Sequence, residues 1–480
     1  MPRISKSTAI AAALFVAFAL WQGVLAARGN QLFGDFRAFY CAGSAVAHHA
    51  DPYAAAALTA CEHAPAQAGF YTAPQGVTVP APFPAYVLAA FAVLSLLPYG
   101  AACVVWAGAV VFALILAVRA ISKLTARPSA GILALLALGM GAIVLPYGQL
   151  AAIEIAALAS FAMALREQRW MSAAIAAAVC ALVPHAGAPA LLCTFVFVKP
   201  IRAKLLLTGC ALALLDVAAG GVPHALQYFT TVLPAHAASE IGRTSQYGAT
   251  WAAHALGASD RAALALGNVW YGAMCVLGIV AAGAWIRRGD LAWAAIVPPA
   301  FAVFGGVFVH YTEILAAVPA ALLLCTTLSD RRKPAALAAA LLVGIPWAIC
   351  LNQPLLILPF GAAAAAFVAW FANASAPIAL RTGMAGAALG ALLVIAAARF
   401  GPGVAPAHAA MNAGAVLAQH SWTQYVAAHW SGTGAIWWLA KAPTWIGLAL
   451  LLFLAARGSQ AVADEDLVLR VAVKHAPAGP

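Results

Sequence analysis

Charge is what this sequence has least of. Only 8% of its 480 residues are charged, and 14 acidic residues stand against 25 Lys and Arg. A soluble protein of this size carries roughly a quarter of its residues charged, so a chain of soluble domains is excluded. Metal-binding cysteine patterns are missing too: there are nine cysteines but no CxxC or comparable spacing. No metal ligand and no cofactor is expected. No internal repeat is evident either. Basic blocks are absent as well: the net charge of +11 is spread over short clusters such as Arg287-Arg288 and Arg331-Arg332-Lys333. Clusters of that kind orient membrane segments, and a nucleic-acid partner is excluded.

What is present is apolar. Hydrophobic residues make up 65% of the chain and the mean hydropathy is +0.93. Apolar runs recur at 9–27, 84–98, 100–118, 131–146, 149–165, 171–183, 186–198, 204–220, 263–286, 291–309, 311–328, 335–351, 354–372, 380–398 and 434–456. The expected fold is an all-α polytopic membrane protein with about 12–15 membrane helices. Its first span has Arg3 and Lys6 on the cytoplasmic side and an apolar core longer than a cleaved signal's.

Three breaks interrupt the runs: loops at 28–82, 221–262 and 399–433. If every run from 149 onward crosses once, the clusters Arg166/Arg169, Lys199/Arg202/Lys204, Arg287/Arg288 and Arg331/Arg332/Lys333 share one side, expected to be the cytoplasm. The three loops then share the outside. One conflict remains: counting 84–98 and 100–118 as spans puts Arg119, Lys123 and Arg127 outside. Either 84–98 or 131–146 is short or re-entrant, or that loop breaks the rule.

The first loop concentrates the chemistry. Gly34 to Tyr53 reads GDFRAFYCAGSAVAHHADPY, with two carboxylates, two histidines and several aromatic rings. It begins as a helix that Asp51-Pro52-Tyr53 ends, and Ala54–His63 can form a second short surface helix. Asp35 admits two readings, a cap for the helix that follows or a reacting carboxylate. Asp51 reads as a turn former. Cys41 and Cys61 share this loop and can pair only if the fold brings them together. Ionisable groups within apolar runs, Glu154 and Asp216, are flagged as functional or as paired with neighbouring hydroxyls.

The loop resembles the first external loop of glycosyltransferase family 87, which typically has an Asp-Phe, an aromatic, an Ala-Gly and a closing Asp-Pro-Tyr. The similarity continues in order at Phe83-Pro84 before LAAFAVLSLLPYG, at Gly148-Gln149, Pro184-His185, Ser245-Gln246 and His310-Tyr311. The family comprises polyprenol-phosphate-sugar-dependent enzymes of the GT-C class, with mycobacterial mannosyltransferases as familiar members. The chain departs from the pattern at Val183, where the family usually has Lys, and at Ala85, where it has a second Pro. No phosphate contact is carried over at Val183.

The resemblance implies a GT-C type helix bundle with its catalytic module over 1–330, further membrane helices over 331–456 and a cytoplasmic polar tail over 457–480. It implies a sugar passed from a polyprenyl-phosphate donor to a lipid or glycan acceptor, outside the bacterial cytoplasmic (inner) membrane. Such chemistry needs a base for the acceptor hydroxyl and polar or cationic groups for the phosphate. Asp35 is implied as the base, with His310 as its partner. Gln149, Arg37, Tyr40, Arg243, Gln246, Tyr311 and Glu313 are the expected substrate contacts. The plainer readings are that His310 is merely interfacial and that Gln149 binds a neighbouring backbone. The alternatives for the whole chain are a transporter or flippase for a lipid-linked or small amphipathic solute, and a non-catalytic family member.

Overall fold

The computed structural model describes residues 5–137, 139–400 and 417–474. The chain is a helical bundle, and its only β pairing among the described residues is a set of isolated bridges. Among the described residues, seven helices are long and apolar enough to cross a membrane: Lys6–Arg28, Tyr99–Thr125, Lys199–Ser239, Asp260–Ile286, Pro354–Phe371, Ala376–Phe400 and Ala435–Arg457. A pair over 129–147, bent by 51°, adds an eighth if it counts as one span. Shorter apolar helices complete the bundle, including Ala85–Leu94, Pro184–Phe197 and Trp293–Gly305. The all-α polytopic expectation holds. Fewer helices are long enough to span than the apolar runs implied, because Pro and Gly cut several runs short.

The conflict over the 119–127 loop resolves at Ala85–Leu94. That helix has only 10 residues, about 15 Å at 1.5 Å per residue, half of what the hydrocarbon needs. It packs instead on the first-loop helix Gly34–Ala47, where Gly43 meets the backbone of Phe91 so closely that a Cβ would sit 2.4 Å from its carbonyl carbon. Arg119, Lys123 and Arg127 then rejoin the other basic clusters. Arg166 donates to the Leu124 carbonyl (2.6 Å) and pairs with Asp290 (2.6 Å), and Arg332 reaches the Arg457 carbonyl (3.4 Å).

At the opposite end the three loops meet. Ala54 bridges to Leu417, Arg243 to Ser431 and Gln246 to His310, and Thr78 N donates to Ser421 Oγ at 3.1 Å. Residues 401–416 of the third loop lie outside the described residues. The second loop is largely helical, because the Arg202–Gln227 helix bends at Gly221 (φ 75°, ψ 164°) and continues through Leu233–Ser239. The expected tail from Arg457 prolongs the last helix as far as Lys474.

The first loop is cross-linked: Cys41 and Cys61 form a disulfide. Arg37, expected at the phosphate, is instead buried within this loop. Its guanidinium donates to the carbonyls of Cys61 (2.6 Å) and Ala64 (2.8 Å) and lies 4.3 Å from the Tyr99 ring centroid. Tyr40 likewise turns away, donating to the Leu97 carbonyl at 2.8 Å. Asp51 accepts from Tyr53 N at 2.9 Å, the turn expected of it.

Candidate active site

Asp35 lies in the first turn of Gly34–Ala47. The residue at the cap position is Phe33, in the left-handed region at φ 58°, with no side-chain cap bond. Capping is therefore not what occupies the Asp35 carboxylate. Its side-chain partner is Gln149, whose Nε2 donates to Oδ2. Gly148 makes this possible. It has φ 72° and a Cβ there would lie 2.6 Å from that of Phe36, so only glycine lets the chain turn against the first-loop helix and present Gln149. Thr312 Oγ1 donates to Gln149 Oε1 at 3.1 Å. With its oxygen so engaged, the amide must offer its NH₂ to Asp35.

His310 is held by a short two-stranded contact: Tyr247 N donates to the Val309 carbonyl at 2.8 Å and Tyr311 N to that of Ser245 at 3.2 Å. Glu313 caps it, accepting from His310 N at 2.7 Å. The other Glu313 oxygen lies 3.1 Å from His185 Nε2. Gln246 Oε1 accepts from Val309 N at 2.6 Å, so its NH₂ faces both Glu240 Oε2 (3.1 Å) and His310 Nε2 (3.3 Å). A donor facing Nε2 makes that nitrogen an acceptor and leaves the imidazole proton on Nδ1, 3.4 Å from Ser245 Oγ.

Glu240 is the hub that sequence reasoning missed. Its side chain is fully buried. It accepts from Arg243 Nη1 at 2.9 and 3.0 Å, from Gln246, and from Trp422 Nε1 at 2.9 Å. Arg243 in turn lies over the rings of Trp430 (4.8 Å) and Trp422 (5.5 Å). His236, one helical turn before Glu240, completes the group. The His236 to Glu240 spacing of four was available as a signal, since residues so spaced share a helix face; Arg243 lies beyond the helix end.

The charges act on one another. Burial raises the Asp35 pKa above the usual carboxylate value. Arg243, His310 and the Gln149 hydrogen bond pull the other way without cancelling it, and Glu240 adds to the rise. Burial opposes ionisation of Glu240 as well, but Arg243, His310, His236 and Trp422 overcome it and hold this carboxyl below its ordinary range. Burial first, then Arg243, lowers His310 against the pull of Glu240, Glu313 and Asp35. Tyr311 is close enough to feel both Asp35 and Arg243. Of the sequence-derived candidates, Asp35, Gln149, Arg243, Gln246, His310, Tyr311 and Glu313 converge; Arg37 and Tyr40 belong to the first loop's interior.

One end of the bundle thus gathers a carboxylate of raised pKa and an arginine from separate segments. No curated protein and no solved structure gives a significant match. Residues 82–309 match the family model described as Glycosyltransferase family 87. The match takes in Gln149, Glu240, Arg243 and Gln246, begins after Asp35 and stops at Val309, immediately before His310. Together with the seven apolar spans among the described residues, this match supports a multi-pass membrane protein of glycosyltransferase family 87.

Proposed function

We propose that this enzyme transfers a sugar from a polyprenyl-phosphate donor to a lipid or glycan acceptor on the extracytoplasmic face of a bacterial cytoplasmic membrane, with Asp35 as general base. The observation that carries the reading is Asp35 itself: a carboxylate fixed by Gln149, raised in pKa by burial, with Arg243 and His310 within electrostatic reach. The orientation rests on the basic clusters gathering at the opposite end of the bundle.

In this reaction the acceptor oxygen attacks the anomeric carbon and its proton passes to the Asp35 carboxylate. The bond from that carbon to the phosphate oxygen breaks with inversion, and the polyprenyl phosphate leaves carrying the electron pair and one more negative charge. A raised pKa suits Asp35 to receive a proton. Arg243 supplies fixed positive charge for the departing phosphate. Gln149, locked by Thr312, orients the base. His310, with a lone pair on Nε2, is a polar contact for donor or acceptor, and Tyr311 offers a face for the sugar. The leaving group is stable enough that these residues suffice for a basal reaction.

The test is reconstitution of the purified chain in vesicles with a panel of radiolabelled polyprenyl-phosphate hexoses and pentoses and a lipid extract as acceptor source. Label moving from the donor to a second lipid or glycan, with release of polyprenyl phosphate, is the expected result. Movement of intact donor between leaflets, with no glycosidic bond formed for any member of the panel, would replace transfer with a flippase.

A further inference from the structure

The group around Glu240 has a second capacity. His236, Glu240 and His310 each offer a ligand atom, and the three lie within 4.8 Å of one another. They come from different places: His236 from the helix Leu233–Ser239, Glu240 from its end, and His310 from the segment before Glu313. We propose that His236, Glu240 and His310 form a binding site for one divalent transition-metal ion of the zinc type.

Four observations support the assignment. His236 is 6% exposed, yet its Nδ1 has no hydrogen-bond partner, a cost that a buried polar atom rarely bears unexplained. Phe308 packs edge-on against this ring at 5.0 Å, fixing its plane. His310 keeps a lone pair on Nε2, 3.7 Å from Glu240 Oε2, because the Gln246 amide faces it. Glu240 is held by Arg243, Gln246 and Trp422, as ligating carboxylates commonly are.

The donor set selects the ion. Two imidazoles and one carboxylate suit zinc or its neighbours, whereas magnesium and calcium favour oxygen ligands. Three protein ligands leave a fourth position open, the arrangement of zinc sites that also take a substrate or water. The separations require the ligands to draw in slightly, since zinc bonds to nitrogen and oxygen are about 2.0–2.2 Å. Arg243 shares the carboxylate, and its charge opposes a second cation. Asp35 nearby and an arriving phosphate offset that repulsion. On the reading of the enzyme given above, metal and Arg243 together would face the phosphate, making the ion an enhancer of donor binding. The site itself does not depend on that reading.

No cysteine motif or short histidine spacing marks this site, because His310 lies far along the chain from His236 and Glu240. The test uses the full chain purified in detergent, stripped with a chelator and titrated with Co²⁺ as a spectroscopic stand-in. One saturable equivalent with visible absorption of a four-coordinate ion, displaced by Zn²⁺, is expected. His236→Ala should weaken it at least about 100-fold, beyond the 10–100-fold typical of losing an outer-shell partner, and His236→Gln should do the same. Thermal unfolding of both stripped variants at the parent's temperature would show that the loss is not misfolding. Asp35→Asn should bind Co²⁺ like the parent while failing to transfer sugar, so the two proposals fail separately. Absence of a stoichiometric band, or binding unchanged in both His236 variants, would overturn the metal site and leave Glu240 as the centre of an ion-pair network only.

Discussion

Two carboxylates sit at the same end of the bundle and have opposite fates. Asp35 has one side-chain hydrogen-bond partner, Gln149, and burial raises its pKa. Glu240 is more deeply buried, yet Arg243, Gln246 and Trp422 all donate to it and its pKa falls. Burial alone therefore does not decide the state of a carboxyl; the count and charge of its donors do. The under-partnered carboxyl is the easier of the two to protonate, and the donors around the other keep it ionised. One is suited to chemistry and the other to holding the residues that serve it.

Breaking the saturated side should have the largest effect on stability. Glu240→Ala leaves Arg243 largely buried without its counter-charge and should cost roughly 3–5 kcal/mol, read as a lowered melting temperature in detergent. Because the Glu240 pKa is depressed, its stabilisation is present above the ordinary glutamate value of about 4.5 and is lost as pH falls below it. Unfolding at pH 3 and pH 7 should thus converge in Glu240→Gln more than in the parent. Next in size is the Cys41–Cys61 bond, which closes a loop over a sequence separation of 20. Its removal by Cys61→Ser should cost about 3 kcal/mol and loosen the helix that carries Asp35, while leaving the Glu240 cluster's protection from hydrogen exchange unchanged.

Gln149→Ala sharpens the comparison from the other side. It removes the hydrogen bond that lowers the Asp35 pKa, so the acidic limb of the pH–rate profile should move to higher pH. A hydrogen bond to a charged group contributes roughly 1.5–3 kcal/mol, which bounds the shift. An unmoved limb would detach Gln149 from the base. The smallest expected effect is at Glu62, a third carboxyl in the first loop, raised by burial to about 8 although Val79 N and Arg37 favour its charge. Its folded pKa exceeds the unfolded value, so its contribution is fully present below about pH 4.5 and is lost as pH rises through about 8. Glu62→Gln should flatten that decline, gaining on the parent in unfolding measurements between pH 5 and pH 9.

Much of this was legible in the sequence, for physical reasons that differ by residue. Apolar runs announce helices, and scarce polar residues at run ends announce a site. Asp35 and His310 were visible because few alternatives exist in a chain with so little charge, and Gln149 through the Gly148-Gln149 pair that the resemblance picks out. The order of motifs also placed them on one side. The inward turn of Arg37 was not legible: its partners are the carbonyls of Cys61 and Ala64, and no residue type signals a free carbonyl. Trp422 and Trp430 were hidden for another reason. They lie in the C-terminal region, which reads only as membrane helix and loop, yet they cover Arg243 and Glu240. The short helix Ala85–Leu94 was legible only as one of two candidates, because hydropathy registers an apolar run without telling a half-span from a span.

The most direct measurement is single-turnover sugar transfer by Asp35→Asn, with donor binding determined on the same preparation. Asparagine keeps the shape and can still bond to Gln149, but it cannot take the acceptor's proton. The variant should fold at the parent's melting temperature, bind the polyprenyl-phosphate donor, and transfer sugar about 10²–10⁴-fold more slowly. Transfer at the parent's rate by a folded, donor-binding Asp35→Asn enzyme would contradict the account.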